Sequence, residues 1–320
     1  MKNGDQLVMA RVLICDPLES EGVEMIRKAG LNVDERPTIS AQELLQVSGD
    51  YDAVIIRSRT KITKEVIEAG KKLKVIVRAG VGLDNVDVTY AKEKGVQVIP
   101  TPAAPTSSVA ELAVGLMLAV LRQISLADRS MKEGKWIKSK LVGSELKEKT
   151  VGVVGVGGRI GAEVARILKA GFKANVIGYD VVDPGPRVTD LGVELVRNLD
   201  ELLVRSDIVT IHVPYSASTL HLLNGRRIGT MKKGSILINT ARGDIVDGEA
   251  MLKALKEGHL SGAGLDVFHD EPPQKDWEKQ LVALGDGVTV CTCHIGAQTG
   301  EAQKAAGIMA AEAVIKALKT

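Results

Sequence analysis

The chain has few of the residues that mark several classes of protein. Its 320 residues include only three cysteines, two tryptophans, two phenylalanines and four tyrosines. An odd, sparse set of cysteines makes no disulfide framework, so we expect a reducing compartment, the cytoplasm. So few aromatic rings provide no stacking platform for single-stranded bases.

The chain also lacks a strong charge of one sign and a long hydrophobic run. Lys and Arg number 42 against 40 Asp and Glu, a formal net charge of +2. Nucleic-acid binders and polybasic membrane-surface proteins normally carry a clear basic excess. The longest apolar stretch, residues 109–121, contains Glu111 and is shorter than the roughly 18 uncharged residues of a membrane span. We therefore expect no nucleic-acid partner and no membrane association.

What the chain has is apolar residues, 45% of the total, largely Val, Ile, Leu and Ala. This composition suits parallel strands that are buried on both faces. Strand-type runs alternate with helical patterns twice, which favours two doubly wound α/β domains with parallel, Rossmann-like sheets. The predicted strands are 11–15, 53–57, 74–78, 96–99, 151–154, 175–179, 208–213, 235–239, 263–267 and 288–291.

A glycine-rich segment, TVGVVGVGGRIGAEVARIL, covers Thr150–Leu168. A strand pattern ends at Gly155, and a helical pattern begins near Arg159. Glycines at such a turn let the backbone approach a pyrophosphate, and the helix N-terminus binds that anion. The spacing from Gly155 through Gly157 to Gly161 is one residue longer than G-x-G-x-x-G, with Gly158 as an extra glycine. Dinucleotide binding is the favoured interpretation, and an ordinary glycine-rich turn is the alternative.

An acidic residue follows this segment at the spacing of a dinucleotide site. Asp180 ends the next predicted strand, nineteen residues after Gly161. A carboxylate in this place accepts hydrogen bonds from the adenosine ribose. No arginine adjoins Asp180 to hold a 2′-phosphate, which the carboxylate itself would repel. The sequence therefore favours NAD over NADP.

Three polar residues lie just beyond predicted strands in the last third of the chain. Arg242 is suited to hold a substrate carboxylate and to polarise the adjacent oxygen. His294 is suited to exchange the hydroxyl proton while a hydride is transferred. A neighbouring carboxylate, Glu271, would stabilise the imidazolium and orient its ring. The alternative is that these are three unrelated polar residues at strand ends.

Six strings, unlike the glycine loop alone, are specific to one family. The chain resembles the D-isomer-specific 2-hydroxyacid dehydrogenases over nearly its whole length. The strings are VIIRSRTKIT (54–63), VIVRAGVGLDNVD (75–87), SVAEL (108–112), INTARGDIVD (238–247), LDVFHDEPP (265–273) and HIGAQT (294–299). The resemblance implies a substrate-binding domain of residues 1–100 plus 292–320, into which an NAD-binding domain of residues 101–291 is inserted.

The resemblance also implies a role for individual residues. Arg242 would bind substrate and act in catalysis, with Glu271 as the partner carboxylate and His294 as the acid and base. Asp266 would contact the nicotinamide carboxamide. The remaining cofactor-binding residues would be Gly155, Gly157, Gly158, Arg159, Ile160, Asp180, His212, Val213, Pro214, Thr240, Ala241, Gly296 and Ala297, with Arg242 and His294 also contacting the cofactor. The substrate-binding residues would be Arg57, Ser58, Arg78, Val81 and Gly82 in addition to Arg242, and no metal is expected.

The function implied is NAD-dependent oxidation of D-3-phosphoglycerate to 3-phosphohydroxypyruvate, the first step of serine biosynthesis. Arg57 and Ser58 would bind the phosphate. The expected protein is a homodimer or homotetramer of a short form that has no regulatory domain. A glyoxylate or hydroxypyruvate reductase, or another D-2-hydroxyacid dehydrogenase, is the alternative within the class. An NAD-sensing, corepressor-like binding protein is the alternative outside it. Cys293 stands where the family commonly has Pro, which leaves the approach of the His294 ring open.

Overall fold

The computed structural model describes residues 9–285 and 287–319. It divides into two compact units, at Pro105 and at Gly296. Unit 1 contains the described residues 9–105 and 297–319, and unit 2 contains residues 106–296 except residue 286. The sequence placed these junctions after residues 100 and 291. The substrate-binding and cofactor-binding roles of the two units stay predictions.

The first segment of unit 1 forms one five-stranded parallel sheet in the order β2-β1-β3-β4-β5. Both faces of this sheet are buried, because helices cover each of them. The strands are β1 (Arg11–Ile14), β2 (Asn32–Glu35), β3 (Ala53–Ile56), β4 (Val75–Arg78) and β5 (Gln97–Pro100). The helices are α1 (Ser20–Lys28), α2 (Ala41–Val47), α3 (Lys64–Ala69) and α4 (Val88–Glu93).

Unit 2 is built around a seven-stranded parallel sheet in the order β12-β11-β10-β9-β6-β7-β8. The strands are β6 (Thr150–Val154), β7 (Asn175–Tyr179), β8 (Glu194–Leu195), β9 (Ile208–Ile211), β10 (Ser235–Asn239), β11 (Leu260–Leu265) and β12 (Thr289–Cys291). The helices are α5 (Thr106–Leu121), α6 (Ile124–Lys132), α7 (Arg159–Phe172), α8 (Pro186–Thr189), α9 (Leu199–Arg205), α10 (Gly225–Thr230), α11 (Gly248–Lys256) and α12 (Asp276–Ala283). The strand order reverses between β6 and β9, and open α/β sheets bind ligands at such a switch point.

The C-terminal helix α13 (Gly300–Lys319) belongs to unit 1, where it packs against α1 and β4. Its buried residues Ala306, Ala310 and Val314 complete one face of the unit 1 core. In unit 2 the apolar helix α5 packs against α7 and the sheet. Within the described residues no single helix is long and apolar enough to cross a membrane. Only α5 and α6 together reach that length and hydropathy, and they are bent by 67°.

The prediction of two doubly wound parallel-sheet domains is confirmed. The sequence does not predict β2 and β8, and both of these strands lie at a sheet edge. β2 has the sequence NVDE and is only partly buried, so it shows no apolar run. β8 contains two residues, both exposed. Short polar edge strands are paired by the sheet rather than specified by their own residues.

Candidate functional site

The loop after β6 is shaped by three glycines. Gly155 has φ +87°, and a Cβ there would lie 2.8 Å from the carbonyl of His212, which follows β9. A Cβ at Gly157 would lie 2.9 Å from the Asp180 carboxylate, and one at Gly161 would lie 2.2 Å from the Gly155 carbonyl oxygen. The first turn of α7 therefore presses directly on the end of β6, which is the close helix–strand approach of a dinucleotide-binding loop.

The extra residue in the glycine spacing lies at the start of the helix. Gly158 is the N-cap of α7, is exposed and offers no side-chain cap. The amides of Arg159, Ile160 and Gly161 open the first helical turn, where backbone N–H groups have no partner within the helix. The loop thus leaves an uncapped, positively polarised helix N-terminus at the switch point, which is suited to a pyrophosphate.

Asp180, directly after β7, is tied to this loop. Its Oδ2 accepts a hydrogen bond from the Gly157 amide at 2.8 Å, and its Oδ1 accepts one from the Val182 amide at 3.3 Å. Arg187, in α8, donates from Nη2 to the Gly157 carbonyl. No arginine is adjacent to Asp180 in the sequence, yet the fold brings Arg187 to the same glycine. The sequence analysis missed this residue because α8 folds back over the loop.

Two further predicted cofactor residues lie at the same edge of the sheet. The hydroxyl of Thr240, the residue after β10, is buried and has no hydrogen-bond partner within the described residues. A buried hydroxyl normally has such a partner, so a ligand that supplies one fits here. His212 follows β9, and its Nε2 lies 2.9 Å from the Thr210 hydroxyl. Burial lowers the pKa of His212 to about 3, so its ring is neutral and does not act as an acid. The predicted residues Val213 and Pro214 come next in the chain.

His294 and Glu271 meet beyond β12 and β11. His294 Nδ1 lies 2.6 Å from Glu271 Oε2, and both side chains are about two-fifths exposed, at 42% and 39%. Burial alone would raise the pKa of Glu271. The hydrogen bond and charge of His294, the Phe268 amide and the charge of Arg242 outweigh burial and hold that pKa below its usual value. Glu271 is therefore an ionised partner that stabilises an imidazolium at His294.

The backbone around His294 is fixed by Asp266, which follows β11. His294 has φ +56°, a left-handed conformation that is uncommon for a residue with a side chain. Asp266 is buried; its Oδ1 accepts from the Ile295 amide at 2.8 Å and its Oδ2 from the Gly296 amide at 2.9 Å. The carbonyl of Asp266 also accepts from the His294 amide at 2.8 Å. These bonds fix the backbone on both sides of the His294 side chain, whose ring faces Glu271.

Strand register explains why these side chains meet. β10, β11 and β12 are neighbours, with Asn239 paired to Leu265 and Leu265 paired to Cys291. The residues that follow all three strands therefore share one edge of the sheet. Arg242 lies there, half-buried, with Nη1 donating to the Ala241 carbonyl at 2.7 Å. Of the predicted cofactor residues, Ala297 alone belongs to unit 1, at the start of its second segment.

The predicted substrate residues of unit 1 lie at the carboxyl ends of β3 and β4. Arg78 pairs with Ile56 across the two strands, so Arg57 lies in the next row. The Arg78 guanidinium folds over Gly80, and Val81 and Gly82 follow in the same loop. Exposed Ser58 follows Arg57. The fold thus groups these five residues at one edge of the unit 1 sheet.

The sequence analysis missed the group that organises this edge. Asp16 is 2% exposed and accepts from the Thr60 hydroxyl at 2.8 Å and from Arg59 at 3.0 Å. The Arg57 amide also donates to Asp16. Arg59 additionally donates to the Ile39 carbonyl at 2.9 Å, so its charge is used within the fold. Within the part of the chain that the structure describes, the Arg57 guanidinium makes one long bond of 3.4 Å, to the Pro17 carbonyl, which leaves most of its donors for a ligand.

Comparison with known proteins agrees with this geometry. Residues 114–296 match the family model described as the D-isomer specific 2-hydroxyacid dehydrogenase, NAD binding domain. The chain is 44% identical to a D-3-phosphoglycerate dehydrogenase of Methanocaldococcus jannaschii, over 97% of this chain and 58% of the relative. It is 46% identical to a hydroxypyruvate reductase of Thermotoga maritima, over 96% of this chain and 98% of the relative.

A solved structure shares the fold at full length. The D-lactate dehydrogenase of Aquifex aeolicus, in complex with NAD and lactic acid, has a TM-score of 0.83 and 30% identity, covering 97% of this chain and 95% of that one. The chain thus spans little more than half of the archaeal phosphoglycerate dehydrogenase, at 58%, and nearly all of the reductase, at 98%. The predicted family is confirmed: the chain belongs to the D-isomer-specific 2-hydroxyacid dehydrogenases.

Proposed function

We propose that the chain is a dehydrogenase that interconverts a D-2-hydroxy acid and its 2-oxo acid with an NAD-type cofactor. The observation that carries this proposal is the 2.6 Å contact between His294 Nδ1 and Glu271 Oε2. The pair lies on the edge where Arg242 follows β10, in the unit whose sheet also carries the glycine loop. An acid–base pair, a guanidinium and a dinucleotide loop are the groups that this reaction needs.

The proton is exchanged by His294. Because Nδ1 faces Glu271, Nε2 is the nitrogen that donates to the substrate oxygen during reduction and accepts from the hydroxyl during oxidation. The ionised Glu271 stabilises the imidazolium and fixes the ring. The Arg242 guanidinium binds the substrate carboxylate, and its planar fork orients the adjacent C2 oxygen.

The glycine loop, the first turn of α7 and Asp180 hold the dinucleotide, with Thr240 providing a hydroxyl. A bound nicotinamide cofactor would supply hydride transfer at C2 of the substrate. Asp180 favours NAD, because its carboxylate binds ribose hydroxyls and repels a 2′-phosphate. Arg187 beside Gly157 is a cation that would reduce this repulsion. Binding titrations with NADH and NADPH therefore measure which of the two charges dominates.

For the substrate we propose D-3-phosphoglycerate, whose oxidation is the entry to serine biosynthesis. Burial lowers the pKa of Arg57, against the opposing charges of Asp16 and Glu19. A half-buried guanidinium with spare donors suits a phosphate. Hydroxypyruvate is the second candidate, favoured by the reductase relative that the chain matches over 98% of its length. A cytoplasmic location and a homodimer or homotetramer remain predictions.

The test is a panel of 2-oxo acids reduced with NADH: phosphohydroxypyruvate, hydroxypyruvate and glyoxylate. We expect the highest kcat/KM with phosphohydroxypyruvate. Arg57→Ala should raise its KM about tenfold or more, because a charge-assisted contact is lost. The control is Arg27→Ala, which removes an exposed arginine that pairs with Glu35, and its kinetics should match the wild type.

Each alternative has its own outcome. Equal efficiency with phosphohydroxypyruvate and hydroxypyruvate, unchanged in Arg57→Ala, would replace the phosphoglycerate assignment with the reductase. A protein that binds NADH but reduces none of the three acids would favour the NAD-sensing, corepressor-like function.

A further inference from the structure

A second carboxylate lies beneath the segment that carries Glu271. Glu278, in the first turn of α12, is 0% exposed. Its Oε1 accepts a hydrogen bond from the Asp270 amide at 2.9 Å. Its Oε2 accepts from the amides of Gln274 at 3.2 Å and Lys275 at 3.1 Å. One buried side chain thus binds three backbone N–H groups of a single loop, residues 266–275, which we name the Glu271 loop.

A buried carboxylate is costly unless hydrogen bonds replace its hydration. Within residues 9–285 and 287–319, no lysine or arginine forms an ion pair with Glu278. Burial would raise the pKa of Glu278, but the three amides and the charge of His269 outweigh burial and lower it. Glu278 is therefore ionised, and its stabilisation comes from the backbone of the Glu271 loop.

The bonded amides bracket Glu271. Asp270 precedes it directly, and Gln274 and Lys275 follow it by three and four residues. Between these anchors, Glu271 accepts from the Phe268 amide at 3.2 Å through Oε1 and faces His294 through Oε2. The position of the Glu271 carboxylate thus depends on a loop whose two sides are both attached to Glu278.

A second contact ties the same loop to the segment that carries Arg242. His269 Nδ1 bonds to the Asp244 carboxylate, and its ring lies 6.4 Å from that of Trp277. A Cβ at Gly243 would lie 2.1 Å from the Phe268 carbonyl carbon, so the two backbones are in direct contact. The Glu271 loop is therefore held from the helix side by Glu278 and from the Arg242 side by His269.

We propose that Glu278 is a positioning residue for the proton-exchanging pair, which it serves by fixing the Glu271 loop so that Glu271 stays on His294 Nδ1. The proposal rests on the proposed dehydrogenase function for its kinetic consequences. Glu278 is buried and its carboxylate bonds to the Glu271 loop, so we assign it no contact with substrate or cofactor. Its effect reaches the reaction only through the distance between Glu271 and His294.

The charged groups around Glu271 and His294 determine how a displacement of Glu271 would affect the His294 imidazolium. Glu271 faces His294, the charge of Arg242 acts on Glu271, and Asp266 holds the backbone that follows His294. Asp270, His269 and Lys275 adjoin Glu278. Glu271 is thus the anion bonded to the imidazole ring, and moving it away destabilises the imidazolium.

The experiment compares Glu278→Gln and Glu278→Ala with the control Glu249→Gln, an exposed glutamate in the first turn of α11. Reduction of a 2-oxo acid with NADH requires the imidazolium. We expect the alkaline limb of the pH profile of kcat to move down by about one pH unit in Glu278→Gln, a tenfold change at fixed pH on the limb. NADH affinity should stay within about twofold, and the control should match the wild type.

A second measurement needs no turnover. NMR titration of the His294 ring in wild type and in Glu278→Gln should show the midpoint moving to lower pH in the variant. It therefore tests the positioning role even if the wild type has no dehydrogenase activity, which would refute the proposed function alone. If Glu278→Ala fails to fold, the Gln variant carries the test. A lower melting temperature with an unmoved titration and an unmoved pH profile would overturn the proposal.

Discussion

The glycine loop and the Glu271 loop lie in the same unit and are built in opposite ways. In the glycine loop, close backbone approach is possible because side chains are missing at Gly155, Gly157 and Gly161. At the Glu271 loop, buried carboxylates accept hydrogen bonds from backbone amides. Glu278 accepts them from the loop itself, and Asp266 accepts them from the turn after His294. The glycine loop depends on the absence of side chains, and the Glu271 loop depends on buried carboxylates. Substitutions in the two loops should therefore impair different properties.

The largest effect on cofactor binding is expected at the glycine loop. In Gly161→Ala the new Cβ would lie 2.2 Å from the Gly155 carbonyl oxygen, which is backbone and has little freedom to move. The start of α7 must therefore shift, and NADH affinity should fall at least a hundredfold, because the anion-binding amides lose their geometry. Fluorescence titration with NADH measures this loss, and circular dichroism checks that the variant is folded.

Gly171→Ala is the matched control near the other end of α7. An added Cβ there would meet no neighbouring atom within 4 Å among the described residues, and Gly171 is exposed. No neighbour has to move and alanine favours a helix, so NADH affinity should change less than about threefold. Equal losses in the two variants would mean that close approach at Gly161 is not what shapes the loop.

The same contrast determines which parts of the site the sequence predicts. The glycine loop and Asp180 can be predicted because each is defined by residue types at a fixed spacing along the chain. Arg242, Glu271 and His294 were assigned from their places after strands, since carboxyl ends of parallel strands share one edge. Glu278 was not assigned, because its surroundings are set by the packing of α12 and leave no sequence pattern.

Other omissions have the same cause. Arg187 reaches Gly157 only because the chain folds back through α8. Asp16 organises the edge that carries Arg57 through contacts with residues more than forty positions away. β2 is a strand because β1 pairs with it, although its own residues are polar. Local patterns specify the strands and the glycine loop, whereas tertiary contacts place the supporting side chains.

The smallest effect concerns acid stability at the Glu271 loop. The pKa of Glu271 is held below its usual 4.5 in the folded chain. Its contribution to the free energy of unfolding is therefore fully present above pH 4.5 and is lost as the pH falls through the lower, folded value. Because the pair is well exposed, that contribution should be below about 1 kcal/mol.

Urea unfolding of wild type and Glu271→Gln between pH 5 and pH 3, below the range in which an ordinary imidazole titrates, measures this contribution. The difference in free energy of unfolding should be largest at pH 5 and should shrink toward pH 3. A difference that grows between pH 5 and pH 3 would mean that Glu271 is protonated more readily in the folded chain than in the unfolded one. That result would contradict an ionised Glu271 at His294.

The central claim is that His294, held by Glu271, exchanges the proton during hydride transfer to a 2-oxo acid. The most direct test is single-turnover reduction of phosphohydroxypyruvate by the preformed NADH complex of wild type and His294→Gln. We expect the D-2-hydroxy acid as product, a rate about a thousandfold lower in the variant and NADH affinity within about twofold. A His294→Gln rate within tenfold of the wild type would contradict the account.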